Sequence, residues 1–240
     1  ERERVLGGDH PNTLVSRNNL AAAYESVGDL GRAIPLFERT LRERERVLGG
    51  DHPSTLVSRN NLAYAYRAVG DLGRAIPLFE RTLRDYERGL GGDHPNTLVS
   101  RNNLAAAYES VGDLGRAIPL FERTLRERER VLGGDHPSTL VSRNNLAGAY
   151  RAVGDLERAI PLHQQTLTGR ERVLGDDHPD TLVSRNNLAG AYRAVGDLER
   201  AIPLYERTLT GCERVLSQSH PLIAVVRANL VRARSAERLR

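Results

Sequence analysis

The stretch Asp9-His10-Pro11-Asn12-Thr13-Leu14-Val15-Ser16-Arg17-Asn18-Asn19-Leu20-Ala21, followed by Gly28-Asp29, decides how this chain folds. It returns with a period of 42 residues: His-Pro stands at 10/11, 52/53, 94/95, 136/137, 178/179 and 220/221. Periods of about 20–50 residues mark stacked arrays, in which each unit buries its apolar face only against its neighbours. Such an array closes around no single pocket and offers a long surface instead.

Within one unit, Pro11 suits the first turn of a helix, with His10 or Asp9 near the N-cap. Leu14, Arg17, Leu20, Ala21, Tyr24 and Val27 recur at three- and four-residue spacing, which predicts a helix with one buried stripe. Gly28 closes that helix and Asp29 caps the next, which should bury Leu30, Ala33, Ile34, Phe37 and Leu41, joined by Val47 and Leu48. Gly49-Gly50 stops it. Pro35 lies inside this second helix, and Gly31 at its i−4 position leaves room for a bend. The run Arg42-Glu43-Arg44-Glu45-Arg46 reads as a solvated charged face. The chain is therefore all-α, a solenoid of antiparallel helix hairpins.

The expected organisation is the end of a truncated second helix at 1–10, five repeats at 11–52, 53–94, 95–136, 137–178 and 179–220, and a lone first helix at 221–240 as a cap. Leu6–Ala63 is identical to Leu90–Ala147, a shift of 84 residues, which points to duplication of a two-repeat block or to design. The absence of Met fits a piece of a longer protein or a processed one.

All 35 basic residues are Arg, and residues 1–220 balance 30 Arg against 30 acids. The +4 net charge sits in the last helix, with Arg227, Arg232, Arg234, Arg238 and Arg240 against Glu237. A groove that tracks phosphates needs a basic stripe, so nucleic acid is not the expected partner. Cys212 is the sole cysteine and occupies the position of Arg44, Tyr86, Arg128 and Arg170, which reads as tolerant helix surface and a reducing compartment. No run approaches a membrane span and no signal peptide is visible, so a soluble, cytoplasmic chain is expected.

Leu20-Ala21-x2-Tyr24 followed by Ala33-x3-Phe37 resembles the tetratricopeptide repeat, with two departures: Arg17 stands where that family prefers Trp, and the closing Pro is missing. The longer unit, with Asn-Asn-Leu-Ala, Gly-Asp and Arg-Val-Leu-Gly-Gly-Asp-His-Pro, resembles the repeats of kinesin light chains and bacterial arrays that follow signalling NTPase domains. The resemblance implies a right-handed superhelix whose first helices (A helices) line a concave groove that binds peptide segments of partner proteins.

Carried onto this sequence, the groove positions fall at Val15, Asn18, Asn19, Ala22, Glu25 and Ser26. Asn19 has counterparts at Asn61, Asn103, Asn145, Asn187 and Asn229. An amide both donates and accepts, so this ladder could satisfy an extended peptide backbone; it could equally bridge neighbouring helices, the role expected of Asn18. Val57 repeats Val15, Tyr64 replaces Ala22 once, and Glu25 gives way to Arg67, Arg151 and Arg193. Acidic peptide residues are accordingly expected over Arg151 and Arg193.

Other chemistry finds no footing. The His-Pro histidines are spaced for helix starts, too far apart to share a metal ion. There is no Ser-His-Asp set, phosphate-cradling loop or Cys pair, so neither enzyme, cofactor nor metal site is expected. His163 replaces the aromatic of Phe37, Phe79, Phe121 and Tyr205, which makes repeat four the expected soft spot. Ile223 and Val226 put apolar residues on the uncovered last helix, so head-to-tail self-association through the array ends is expected. The functional reading is a non-catalytic protein-interaction scaffold. The alternatives are a regulatory sensor array of a larger STAND-type signalling ATPase, or a consensus-like repeat protein with no selected ligand.

Overall fold

Each His-Pro opens a helix. In the computed structural model, which describes residues 2–239, His10, His52, His94, His136, His178 and His220 are the N-caps of six helices. Each imidazole Nδ1 accepts the backbone N–H two residues on, at 3.1–3.2 Å. Of the two candidate caps it is therefore the histidine that acts. Asp29, Asp71, Asp155 and Asp197 cap the partner helices through their carboxylates. Gly28, at φ 79°, makes the left-handed turn between them that a side chain would strain.

Among the described residues the elements are α1 (Arg2–Leu6), α2 (Pro11–Ser26), α3 (Leu30–Leu48), α4 (Pro53–Ala68), α5 (Leu72–Leu90), α6 (Pro95–Ser110), α7 (Leu114–Leu132), α8 (Pro137–Ala152), α9 (Leu156–Leu174), α10 (Pro179–Ala194), α11 (Leu198–Val215) and α12 (Pro221–Arg238). They divide into two compact units, Glu1–Leu120 and Phe121–Arg240. In the first, α2 packs on α3, α3 on α4, α4 on α5 and α5 on α6; in the second, α8 to α12 repeat the scheme. Within each unit the backbones of successive A helices approach within 8 Å: α2 and α4, α4 and α6, α8 and α10, α10 and α12. The B helices α3 and α5 meet instead through long side chains, such as Arg81 reaching Glu45 at 3.5 Å. The A helices therefore form the tighter, inner layer of each unit.

The core follows the expected stripe with corrections. Leu14, Ala21, Ala33, Phe37 and Leu41 are buried. Val27 is 76% exposed and Val47 also faces out, because the helix turns both past the packed face. Their places inside are taken by polar groups: Thr40 and Arg44 are buried. Thr40 returns its hydroxyl hydrogen to the Leu36 carbonyl at 2.7 Å, so it costs the core little.

Arginine holds the junctions. Arg59 and Arg101 are 0% exposed and Arg185 1%, where apolar bulk would be ordinary. Arg59 donates to Asp85 of its own repeat at 2.7 Å, and to Glu45 at 2.9 Å and the Gly50 carbonyl at 3.0 Å from the repeat before. One guanidinium thus ties α3, the connector, α4 and α5. A buried charge persists only when paired and hydrogen-bonded in this way; removing one partner costs about 3–5 kcal/mol. The run at 42–46 is accordingly not a plain solvated face: Glu43 pairs with Arg17, Glu45 with Arg59, and Arg44 is buried.

A second layer uses Arg44, which donates to the Ser54 carbonyl at 2.7 Å and the Ser58 hydroxyl at 2.8 Å. Arg128 and Arg170 repeat this against Ser142 and Ser184. Tyr86 takes the position in repeat two, and the facing Ser100 hydroxyl is left buried without a partner. At the last junction both sides change together, Cys212 against Val226, and both are fully buried. Cys212 is therefore not surface, and its burial pushes the thiol pKa up. Ile223 and Val226 likewise face the core, filling the positions of buried Thr181 and Ser184. The large apolar residues that α12 exposes are Val225 and Val231, with Leu239 exposed just past its end.

Candidate functional site

The inner layer of each unit keeps an open face: Val15, Val57 and Val99 remain exposed in the first unit and Val141 in the second. Helical geometry puts residues three and four further on beside each valine, which places Asn18 and Asn19 next to Val15. Those amides also work inside the fold. Asn103 donates to Asn60 at 3.4 Å, Asn187 to Asn144 at 3.1 Å and Asn229 to Asn186 at 3.1 Å. Each bridge joins consecutive A helices and spends one of the two N–H groups of the Asn19-type residue. Asn18, nearly buried, accepts from Ser58 at 3.2 Å, which extends the Arg44–Ser58 chain. Asn19 is exposed, while Asn61 and Asn145 are half-buried.

In the first unit, Asn60 and Asn61 line a cleft of about 400 Å³ with Ala22, Glu25, Ser26 and Tyr64. Tyr64 stands exposed with the Arg67 guanidinium 4.9 Å over its ring, a cation–π contact that fixes both side chains. Glu25 has one carboxylate oxygen buried without a hydrogen-bond partner, and burial raises its pKa. A carboxylate left short of donors is a ready acceptor for a donor brought by a ligand. In the second unit, Arg151 is exposed and Arg193 half-buried, with Gly148 and Gly190 where Ala22 stood. The Nε of Arg67 and of Arg193 is buried without a partner.

Among the described residues no three His, Cys, Asp or Glu side chains converge as metal ligands, and no helix is long and apolar enough to cross a membrane. The buried Arg–carboxylate junctions were the feature that sequence reasoning missed. Their signal was present: a charged residue inside an apolar stripe at Arg17, Arg59, Arg101, Arg143 and Arg185 needs carboxylates at fixed offsets, and Glu45 and Asp85 supply them to Arg59.

Hairpins of this length, capped at both starts and stacked A on B, have a family counterpart. The tetratricopeptide repeat profile matches residues 2–42, 27–88, 60–126, 102–171 and 143–214. The chain belongs to the tetratricopeptide repeat family. This tetratricopeptide array is similar to the nearly identical TPR-like repeats of a candidate kinesin light chain from Podosopora anserina, with 33% identity and a TM-score of 0.75 over 87% of this chain and 99% of that one. It is similar to BtubC (BKLC) from P. vanneervenii at 22% identity and a TM-score of 0.77, over 92% of this chain and 89% of that one. A Pyrococcus horikoshii STAND protein with a tetratricopeptide repeat sensor matches at 14% identity and a TM-score of 0.71, over 94% of this chain and 33% of that one. The last two likenesses establish the fold alone. No curated protein matches the tetratricopeptide array. Tetratricopeptide arrays are in general non-catalytic protein-interaction scaffolds.

Proposed function

We propose that this array binds an extended peptide segment of a partner protein along the inner face of its A helices. The observation that carries the reading is the exposed row Val15, Val57 and Val99 in the first unit, with Val141 exposed in the second, flanked by amides such as Asn103 and Asn187 that the fold leaves partly unspent. Apolar contact at the valines supplies affinity without choosing a sequence, and the second N–H and the carbonyl of the Asn19-type residues suit a peptide backbone. Selectivity then falls to the residues that differ between repeats. Tyr64 and Arg67 offer a stacked cation–aromatic pair beside Glu25 in the first unit. Arg151 and Arg193 favour acidic side chains in the second. A peptide array, read by fluorescence with wild type and the Arg151→Glu/Arg193→Glu variant, tests this. Acidic ligands should weaken about tenfold or more in the variant; acidic and neutral peptides that bind both proteins alike would refute the assignment.

A second reading concerns copies of the chain itself. Leu20 is 47% exposed, whereas its counterpart Leu62 is 4% exposed, and Val231 on α12 is open where Ala189 is buried. These are successive parts of one stacking interface, so they fit head-to-tail association. Sedimentation velocity should show mass growing with concentration, and loss of that growth when residues 221–240 are deleted. A constant monomer mass would exclude it.

A further inference from the structure

The gap between α2 and α4 lacks a bond that the matching gaps have. Asn103 bridges α6 to Asn60 of α4 at 3.4 Å, and Asn187 and Asn229 bridge to Asn144 and Asn186 in the second unit. The bond from Asn61 to Asn18 is not made, because Asn18 accepts from the Ser58 hydroxyl at 3.2 Å instead. Asn61 is left half-buried and, among the described residues, without a hydrogen-bond partner.

Glu25 stands in the same gap. Every other half-buried carboxylate among the described residues has a partner. Glu38 takes the Tyr66 hydroxyl, Glu43 takes Arg17, Asp85 takes Arg59, and Glu109 at the register of Glu25 is engaged too. Glu25 has neither a cation nor a donor; burial raises its pKa, and no cation stands near enough to hold it down. The third wall is aromatic. Tyr64 is exposed, and Ala22, Ala106, Gly148 and Gly190 hold its register elsewhere. Arg67 is turned to the Tyr64 ring, 4.9 Å from its centroid, and forms no ion pair with Glu25. The unpaired acid, the unpaired amide and the ring line one cleft of about 400 Å³.

We infer that this cleft seats a primary ammonium group, the end of a lysine side chain on the bound peptide. The lysine source rests on the peptide-binding reading above, while the ammonium chemistry rests on the cleft itself. Glu25 takes one N–H in a charge-assisted bond, the Asn61 carbonyl takes a second, and the alkyl stem lies along Tyr64. An ammonium offers three donors and no acceptor, which matches a cleft whose unspent groups are a carboxylate and an amide carbonyl. An acidic ligand meets the Glu25 charge, and a neutral donor leaves that charge unbalanced. A seated cation gives Glu25 the pairing that its half-buried counterparts already have.

The test titrates the full chain, ¹³C-labelled at its tyrosine rings, with n-butylammonium, which is the lysine side chain without its backbone, at neutral pH and constant ionic strength. Tyr64→Phe assigns the Tyr64 signal by its loss, and a thermal melt checks that each variant folds. A saturable shift at Tyr64 is expected, with affinity about tenfold or more weaker in Glu25→Gln and for n-butanol. In the peptide array, Glu25→Gln should weaken lysine-bearing peptides by a similar factor and spare lysine-free ones. The inference is overturned if butylammonium gives no saturable shift at Tyr64, if Glu25→Gln binds it unchanged, or if n-butanol binds as tightly. Peptides that bind without preferring lysine overturn the lysine source. An array in which no peptide binds overturns the groove reading and the lysine source together, and butylammonium still decides the ammonium site.

Discussion

His163 should make the stability of this array depend on pH, and His163→Phe should remove the dependence. The imidazole is 1% exposed, and both ring nitrogens lack a hydrogen-bond partner. Burial, helped by the nearby Arg151 charge, lowers its pKa from 6.5 to about 4. The unfolded chain therefore takes up a proton below pH 6.5 while the folded chain does not until about pH 4. Stability from this group is intact above pH 6.5 and is lost as pH falls toward 4. At about 1.36 kcal/mol per pKa unit the loss reaches about 3 kcal/mol. At neutral pH the unpaired nitrogens already cost about 1–3 kcal/mol. Phe37, Phe79 and Phe121 are fully buried at the same register, so a Phe ring fits. His163→Phe should accordingly gain about 2 kcal/mol at pH 7, or about 4–8 °C in Tm, and about 5 kcal/mol near pH 4. Thermal melts of both proteins at pH 7, 5.5 and 4.5 read the difference between them, which cancels the common titration of the carboxylates. Amide hydrogen exchange over 159–167 localises it, because repeat arrays open locally. A gap that stays constant across that pH range would refute the reasoning.

Three further outcomes are expected. Arg59→Leu leaves Glu45 and Asp85 with only the exposed partners Arg81 and Arg88 and should cost about 3 kcal/mol by chemical denaturation, while the added change Asp85→Leu recovers part of it; an effect under about 1 kcal/mol would mean that the buried ion pairs are dispensable. Cys212→Arg buries a guanidinium against Val226 and should destabilise by a similar amount, with Val226→Ser restoring about 1–2 kcal/mol in a double-mutant cycle; strict additivity would dissolve the pairing. Tyr205→Phe removes a buried hydroxyl that has no partner and should raise stability by about 1 kcal/mol in the same assay, a loss being the contrary result.

The helices were legible because their punctuation is strict. His-Pro and Gly-Asp open the helices from α2 to α12, a glycine stops those from α1 to α10, and Leu14, Ala21, Phe37 and Leu41 recur at helical spacing. Burial was less legible where polarity and position disagree. Arg44 sits in an alternating charged run, yet its guanidinium lies inside because Ser58 and the Ser54 carbonyl receive it. Val47 looks apolar and faces out. Cys212 and Val226 could be understood only as a pair, and nothing in a linear reading sets residue 212 against residue 226. The Asn ladder carried two readings; the bridges that its amides form place it in the packing, and the peptide role rests on what those bridges leave free.

The changing chemistry at the second arginine layer bears on how such a gene can lengthen and shorten. Identical stretches 84 residues apart invite unequal recombination. Loss of the block between them rejoins like with like, since every seam then meets a partner of its own kind. Excision of residues 179–220 would instead set Arg170 against Val226 and bury a guanidinium with no hydroxyl to receive it. The interior of the array is free to change its copy number. The seam of Cys212 and Val226 is keyed, and it fixes which repeat can stand before α12.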